Sequence, residues 1–274
     1  MTRITRRGAL AAMISSLCLT FALPAAADLD KVRSTGQLSV AVYDDFAPWS
    51  GKAGGIDQDL AAAIAKKLGV KLSLIPFPAG EDVSDDLRNM VWKGHFLGMG
   101  PADLLMHMPV DRSVMVKNDQ VEIFAPYYRD TVQLVRNLKA IPDFDGTASL
   151  EGKKIGAEKV SISAMVLLGD ASLRDHVAIY ASGVEAVEKL KAGEVDAVLA
   201  TRAEIESVLH GDPAFEVTEA PFPRLPRKGW VIGMSVKKEN TELAQAVQKA
   251  VNDLFDSGEM AALFAKHGVR SVKP

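Results

Sequence analysis

Apolar runs of strand character alternate with runs of helical period along this chain, and about halfway along the alternation starts over. Gln37 to Tyr43 reads as a β-branched strand. Ile56 to Leu68 reads as a helix with Leu60, Ile64 and Leu68 on one face, stopped by Gly69, and Lys71 to Phe77 as the next strand. A helix over Val83 to Trp92 then leads to a strand at Ala102 to His107, and Thr131 to Arg136, which opens with TVQLV, makes another. Strands separated by helices imply a mainly parallel sheet covered on both faces.

The second round begins with a strand at Lys154 to Ala157, a helix capped by Ser161 and running through Leu168, and a strand at His176 to Ala181. Ser182 and Glu185 form a capping box for a helix that Gly193 closes, and Val195 to Ala200 is a buried strand. After a stretch with Pro213, Pro221, Pro223 and Pro226, strand character returns at Gly229 to Ser235. A helix follows with Leu243, Ala246, Val247, Ala250, Val251 and Leu254 at helical spacing. That stripe needs a surface to cover, and the second unit already has its helices. The tail is therefore assigned to the first lobe, giving lobe 1 as residues 28–134 and 230–274 and lobe 2 as 135–229. Two strands crossing between lobes make a hinge.

Residues 1–27 have the organisation of an export signal: Arg3, Arg6 and Arg7, an apolar stretch from Ala9 to Leu23, then Ala25-Ala26-Ala27 before Asp28. Cleavage after Ala27 removes Cys18, the one cysteine, and leaves 247 of 274 residues with 29 basic and 35 acidic groups. A cysteine-free chain of that length outside the cytoplasm is held by its core alone. Charge is spread without a basic block, which argues against nucleic acid as a partner. The chain reads as a monomer.

Two doubly wound lobes turn the carboxyl ends of their strands toward a shared crevice, where small molecules bind. The loops after the strands offer Asp44, Asp45, Phe46 and Trp49, then His107, Met108, Pro109 and Arg112, then Ser161, and finally Thr201 and Arg202. Each has a plainer reading. Trp49 can plug the core, His107 can be satisfied by the backbone, Arg112 can lie on the surface, and Ser161 can be a simple N-cap. Asp57 and Asp59 in a first helical turn read as helix-dipole carboxylates. The five histidines lack metal-motif spacing, and neither a nucleophile elbow nor a P-loop occurs. No catalytic residue, metal or resident cofactor is assigned, and an enzyme is not expected.

The stretches LDKVRSTGQLSVAVYDDFAPW, GIDQDLAAAIAKKLGVKL, ADLLMHMPVD with FAPYY, LEGKKIGAE, AVEKLKAGEVDAVLA and LFDSGEMAALFAKHGV together resemble the periplasmic solute-binding proteins of family 3, the polar amino-acid receptors of ABC importers. The resemblance covers nearly all of the mature chain. It implies an α/β, two-lobe periplasmic binding protein-like fold of type II, with two hinge strands and a ligand cleft between lobes that close on a solute for an ABC permease. The family's Thr-x-x-Arg becomes Pro109-Val110-Asp111-Arg112, its Gly-Thr or Gly-Ser becomes Val160-Ser161, and its ammonium-pairing aspartate becomes Thr201. Loss of that acid points away from a standard α-amino acid and toward an anionic or aromatic solute. The block WKGHFLGMGPADLLMHMPVD is similar to receptors associated with periplasmic quinoprotein alcohol dehydrogenases. That likeness implies pyrroloquinoline quinone as a ligand, or an accessory role beside such a dehydrogenase. A dehydratase on the same fold is a third reading.

Overall fold

The structure, a computed structural model, describes residues 28–226 and 228–274; the export segment and Cys18 lie outside the described residues. Helix α1 (Asp28–Thr35) leads into β1 (Gln37–Tyr43). Helix α2 (Ile56–Leu68) buries Leu60, Ala61, Ile64 and Ala65, and ends at Gly69, whose φ of 74° is the left-handed turn that lets its N–H reach back to the Lys66 carbonyl. Strand β2 (Lys71–Phe77) then pairs parallel to β1. After α3 (Val83–Leu87) and a π-helical turn over Arg88–Trp92, β3 (Leu104–Pro109) joins the other edge of β1, again parallel. Helix α4 (Arg112–Lys117) connects to β4 (Val121–Asp130).

The chain passes to the second lobe between Asp130 and Val132, where β5 (Val132–Asn137) begins. That lobe holds β6 (Ile155–Glu158), α5 (Ile162–Leu168), β7 (Val177–Tyr180), α6 (Gly183–Lys191), β8 (Ala197–Thr201), α7 (Arg202–Leu209) and β9 (Phe215–Glu219). The return leads to β10 (Trp230–Lys237), α8 (Thr241–Asp256) and α9 (Glu259–Lys266). The two five-stranded sheets have the orders β2-β1-β3-β10-β4 and β9-β5-β8-β6-β7.

Both sheets are mixed, which corrects the mainly parallel reading. In the first, β10 runs antiparallel to both β3 and β4; in the second, β5 runs antiparallel to β8 and β9. The reason is the hinge: strands that arrive from the other lobe enter without a crossover helix, and only such a helix returns a strand in the parallel sense.

Helix α8 lays Leu243, Val247, Val251 and Leu254 into the core shared by α2, β1 and β10. Helix α7 ties the lobes at the hinge. Its first N–H bonds the Thr131 carbonyl at 2.9 Å, Ala203 lies in the first lobe's core, and Ile205 and Leu209 lie in the second's. Glu206 of the same helix accepts the backbone N–H of Arg270 at 2.8 Å, which straps the C-terminal segment across the hinge. Among the described residues, no helix is long and apolar enough to cross a membrane.

Candidate functional site

The site is shaped by two strand irregularities side by side. Leu105 of β3 faces Ser235 while Met108 faces Gly233, so Met106 and His107 together oppose the single residue Met234. Between β10 and β4, Ile232 faces Tyr128 and Met234 faces Phe124, so three residues oppose Gly233 alone. His107 and Ala125, at the two bulges, have φ of 63° and 46°, a conformation that L-residues hold only when their surroundings fix it. Bulges re-aim side chains. Leu104 and Met106 enter the α2-side core, and unbroken alternation would send Met108 after them. Instead Met108 joins Leu105 on the opposite face and His107 is left at the mouth of the sheet.

His107 stands on a buried polar pair. Its Nδ1 is 3.1 Å from Oδ2 of Asp57, whose side chain is 1% exposed, and the Tyr127 hydroxyl donates to the other oxygen of Asp57 at 2.6 Å. Burial, with the Asp57 charge beside it, pushes the Tyr127 hydroxyl well above its ordinary value and keeps it a donor. The imidazole is held edge-on by Phe46 at 4.7 Å and by Trp49 at 4.6 Å between ring centroids.

Above His107 opens a cavity of about 350 Å³. Its walls are the rings of Tyr43, Phe46 and Trp230 and the apolar side chains of Ala79, Val83, Pro109 and Ile232, with Asp44 and Asp45 as its carboxylates. Tyr43 donates to Asp86 at 2.8 Å, and burial raises both groups, so this hydroxyl is committed behind the wall.

Of the residues expected from sequence, Asp44, Asp45, Phe46, His107 and Pro109 line this cavity together. Met108 does not: it is fully buried in the core, for the parity reason given above. Trp49 is also buried, packed on His107, Tyr128 and Phe264, and supports the site from behind. Arg112 opens α4 as an exposed residue and is not part of the cavity wall.

The second lobe's candidates are engaged locally. Ser161 accepts the Ala164 N–H and donates to the Glu158 carbonyl, and Thr201 forms a capping box with Glu204. Arg202 donates to the Arg129 carbonyl at 2.9 Å and lies over the Tyr128 ring, so its charge serves the hinge. Acids gather around Thr201. Burial, with Glu158 and Asp130 adding repulsion, pushes Glu204 up to about 7 against the bonds from Thr201 that favour its charge, and burial raises Asp130 to about 6.

Sequence reasoning missed Tyr43, Trp230 and Ile232 in the wall, and Asp57 and Tyr127 beneath it. The FAPYY motif held Tyr127, but spacing alone does not reveal a bulge. Among the described residues, no cluster of histidine, cysteine, aspartate or glutamate could hold a metal ion.

The cavity sits at the carboxyl ends of parallel strands in the first of two α/β lobes that are joined at a two-strand hinge. No family model matches the chain. It is 24% identical over 247 residues to the L-cystine-binding protein TcyJ of Escherichia coli K12, covering 87% of this chain and 85% of that protein. Its structure is similar to an ancestral cationic amino acid solute binding protein, at TM-score 0.68 and 21% identity over 88% of this chain and 99% of that one. It is also similar to the amino acid ABC transporter substrate-binding protein AbpA of Streptococcus pneumoniae bound to L-arginine, at TM-score 0.58 and 25% identity over 87% and 97%. The chain has the type II periplasmic binding protein fold, two α/β lobes each built on a five-stranded mixed sheet. These likenesses are to binding proteins rather than enzymes, and they give no support to the quinoprotein subgroup.

Proposed function

We propose that this protein is a periplasmic receptor that captures a small organic cation with a flat apolar body, closes its lobes on it, and delivers it to an ABC permease. The observation that carries this reading is the cavity wall: three aromatic rings and an imidazole, two carboxylates, and neither lysine nor arginine. Ring faces and carboxylates attract a cation, and the apolar wall beside them strengthens both terms. The aromatic part of the sequence expectation is supported by these rings. The anionic part is not, because Arg112 stands outside the wall and Asp44 and Asp45 would repel an acid.

Pyrroloquinoline quinone, with several carboxylates, fits this lining poorly for the same reason, and no observation favours a dehydrogenase partner over a permease. The relatives named for arginine and cationic amino acids support a guanidinium or ammonium ligand. Glu158 and Glu204 beside Thr201 supply acid on the second lobe, with Asp130 next to them at the end of β4, from positions other than the one the family uses. Closure is favoured because a ligand in contact with both lobes stabilises only the closed state.

The test is ligand-dependent melting across L-arginine, L-cystine, aromatic amidines, small dicarboxylates and pyrroloquinoline quinone. The expected result is a rise in Tm with the cations alone. A rise with the carboxylates and none with the cations overturns the reading. Native mass spectrometry of protein from its own periplasm would identify a ligand that copurifies.

A further inference from the structure

We infer that Asp57 and Tyr127 act through His107, fixing its tautomer so that Nε2 is a bare hydrogen-bond acceptor on the cavity floor, and that the ligand must bring an N–H donor to it. The inference rests on the cation reading above and adds to it the polar group that sorts one cation from another. A carboxylate accepts only, so the Asp57 oxygen 3.1 Å from Nδ1 requires the hydrogen on Nδ1. The carboxylate cannot swing away, because the Tyr127 hydroxyl holds its other oxygen at 2.6 Å. Among the described residues, both hydrogen bonds of the ring are made by Nδ1, and Nε2 has none. The ring cannot flip freely either, with Phe46 and Trp49 edge-on and the backbone held in the left-handed region at φ 63°. The groups facing His107 from the elements packed on it are Asp57 of α2, Tyr127 and Asp130 of β4, and Asp44 and Asp45 of the loop after β1.

An acceptor on the floor distinguishes cations by chemistry. An amidinium, guanidinium or primary ammonium can donate to Nε2; a quaternary ammonium of equal charge and similar size cannot, and leaves the acceptor unpaired and dry.

Asp57→Asn reverses the logic. With Tyr127 still donating to the side-chain oxygen as it does to Asp57, the amide nitrogen is turned toward Nδ1 and donates to it. The hydrogen of His107 then moves to Nε2, and the floor becomes a donor.

The probes are benzamidine and benzyltrimethylammonium, titrated calorimetrically into the full mature chain, with ¹⁵N NMR of the imidazole read in parallel without ligand. For the wild type we expect hydrogen on Nδ1 and none on Nε2, and at least tenfold tighter binding of benzamidine. In Asp57→Asn the hydrogen should appear on Nε2 and the tenfold preference should vanish. His107→Phe, which needs no tautomer and keeps the ring packing, should also lose the preference while retaining binding of the quaternary cation. Hydrogen on Nε2 in the wild type overturns the inference, as does a preference that survives in His107→Phe. If neither probe binds, the cation reading fails together with the ligand half of this inference, whereas the NMR result still decides the tautomer by itself.

Discussion

Gly233 passes so close to the backbone of Phe124 that a Cβ built on it would lie 2.4 Å from the Phe124 carbonyl oxygen, and 2.8 Å from a methyl of Val110. Its glycine identity follows from this approach, which is where both bulges meet β10. Gly233→Ala should force β10 away from β4 and cost about 2–4 kcal/mol of stability, as overpacking and lost ladder bonds combine. Urea denaturation of the variant checks the number. A change below about 0.5 kcal/mol would show that the bulges tolerate a methyl and do not set the position of His107.

Much of the fold was legible because its signals are local. The helix from Ile56 to Leu68 has its apolar stripe and its stop glycine in one short window, and the stripe at Leu243 to Leu254 is buried as its spacing requires. The antiparallel hinge strands were not legible, since direction depends on the route between lobes. At the site, Phe46 and His107 could be found as residues that follow strands, but Met108 could not be excluded. A one-residue slip turns every later side chain to the opposite face, and nothing in LLMHMP announces where it falls. Asp57 looked like an ordinary first-turn carboxylate; only the arrival of Tyr127 from 70 positions away makes it a buried anchor.

Glu204 makes stability depend on pH in a stated direction. Its ordinary value is 4.5, and burial raises it to about 7 in the folded chain. The native state therefore holds a proton that the unfolded chain releases, so this contribution is full below about 4.5 and is lost as pH rises through about 7. Glu204→Gln keeps an oxygen for the Thr201 N–H and removes the titration. Relative to wild type, it should gain on the order of 2 kcal/mol between pH 5 and pH 8, read from denaturation curves at the two values. A difference that stays constant across that range would assign the cap, and not the proton, to this side chain.

Val160 has φ 55° and is 102% exposed, so a β-branched residue occupies the left-handed region with no packing to hold it there. Val160→Gly relieves that strain and loses no buried contact. It should stabilise the chain by about 0.5–1 kcal/mol after the added freedom of the unfolded glycine is set against the relief. Thermal denaturation at fixed pH is sufficient. A loss of stability would mean that Val160 is held by an interaction with the other lobe in solution.

Arg112 and Trp230 separate two ways of using the cleft. If the family's carboxylate clamp operated here, Arg112→Ala would abolish binding and Trp230→Ala would matter little. The wall contains Trp230 and excludes Arg112, and Arg112 is exposed. A cation held by ring faces predicts the reverse order: Trp230→Ala should weaken benzamidine about tenfold or more, the size expected for a desolvated cation–π contact plus lost apolar area. Arg112→Ala should leave it within about twofold, or tighten it slightly as a nearby positive charge is removed, by an amount that shrinks with added salt. Calorimetric titration of both variants in low and high salt distinguishes the cases. Loss of binding in Arg112→Ala with Trp230→Ala unaffected would move the ligand's anchor from the aromatic wall to the start of α4.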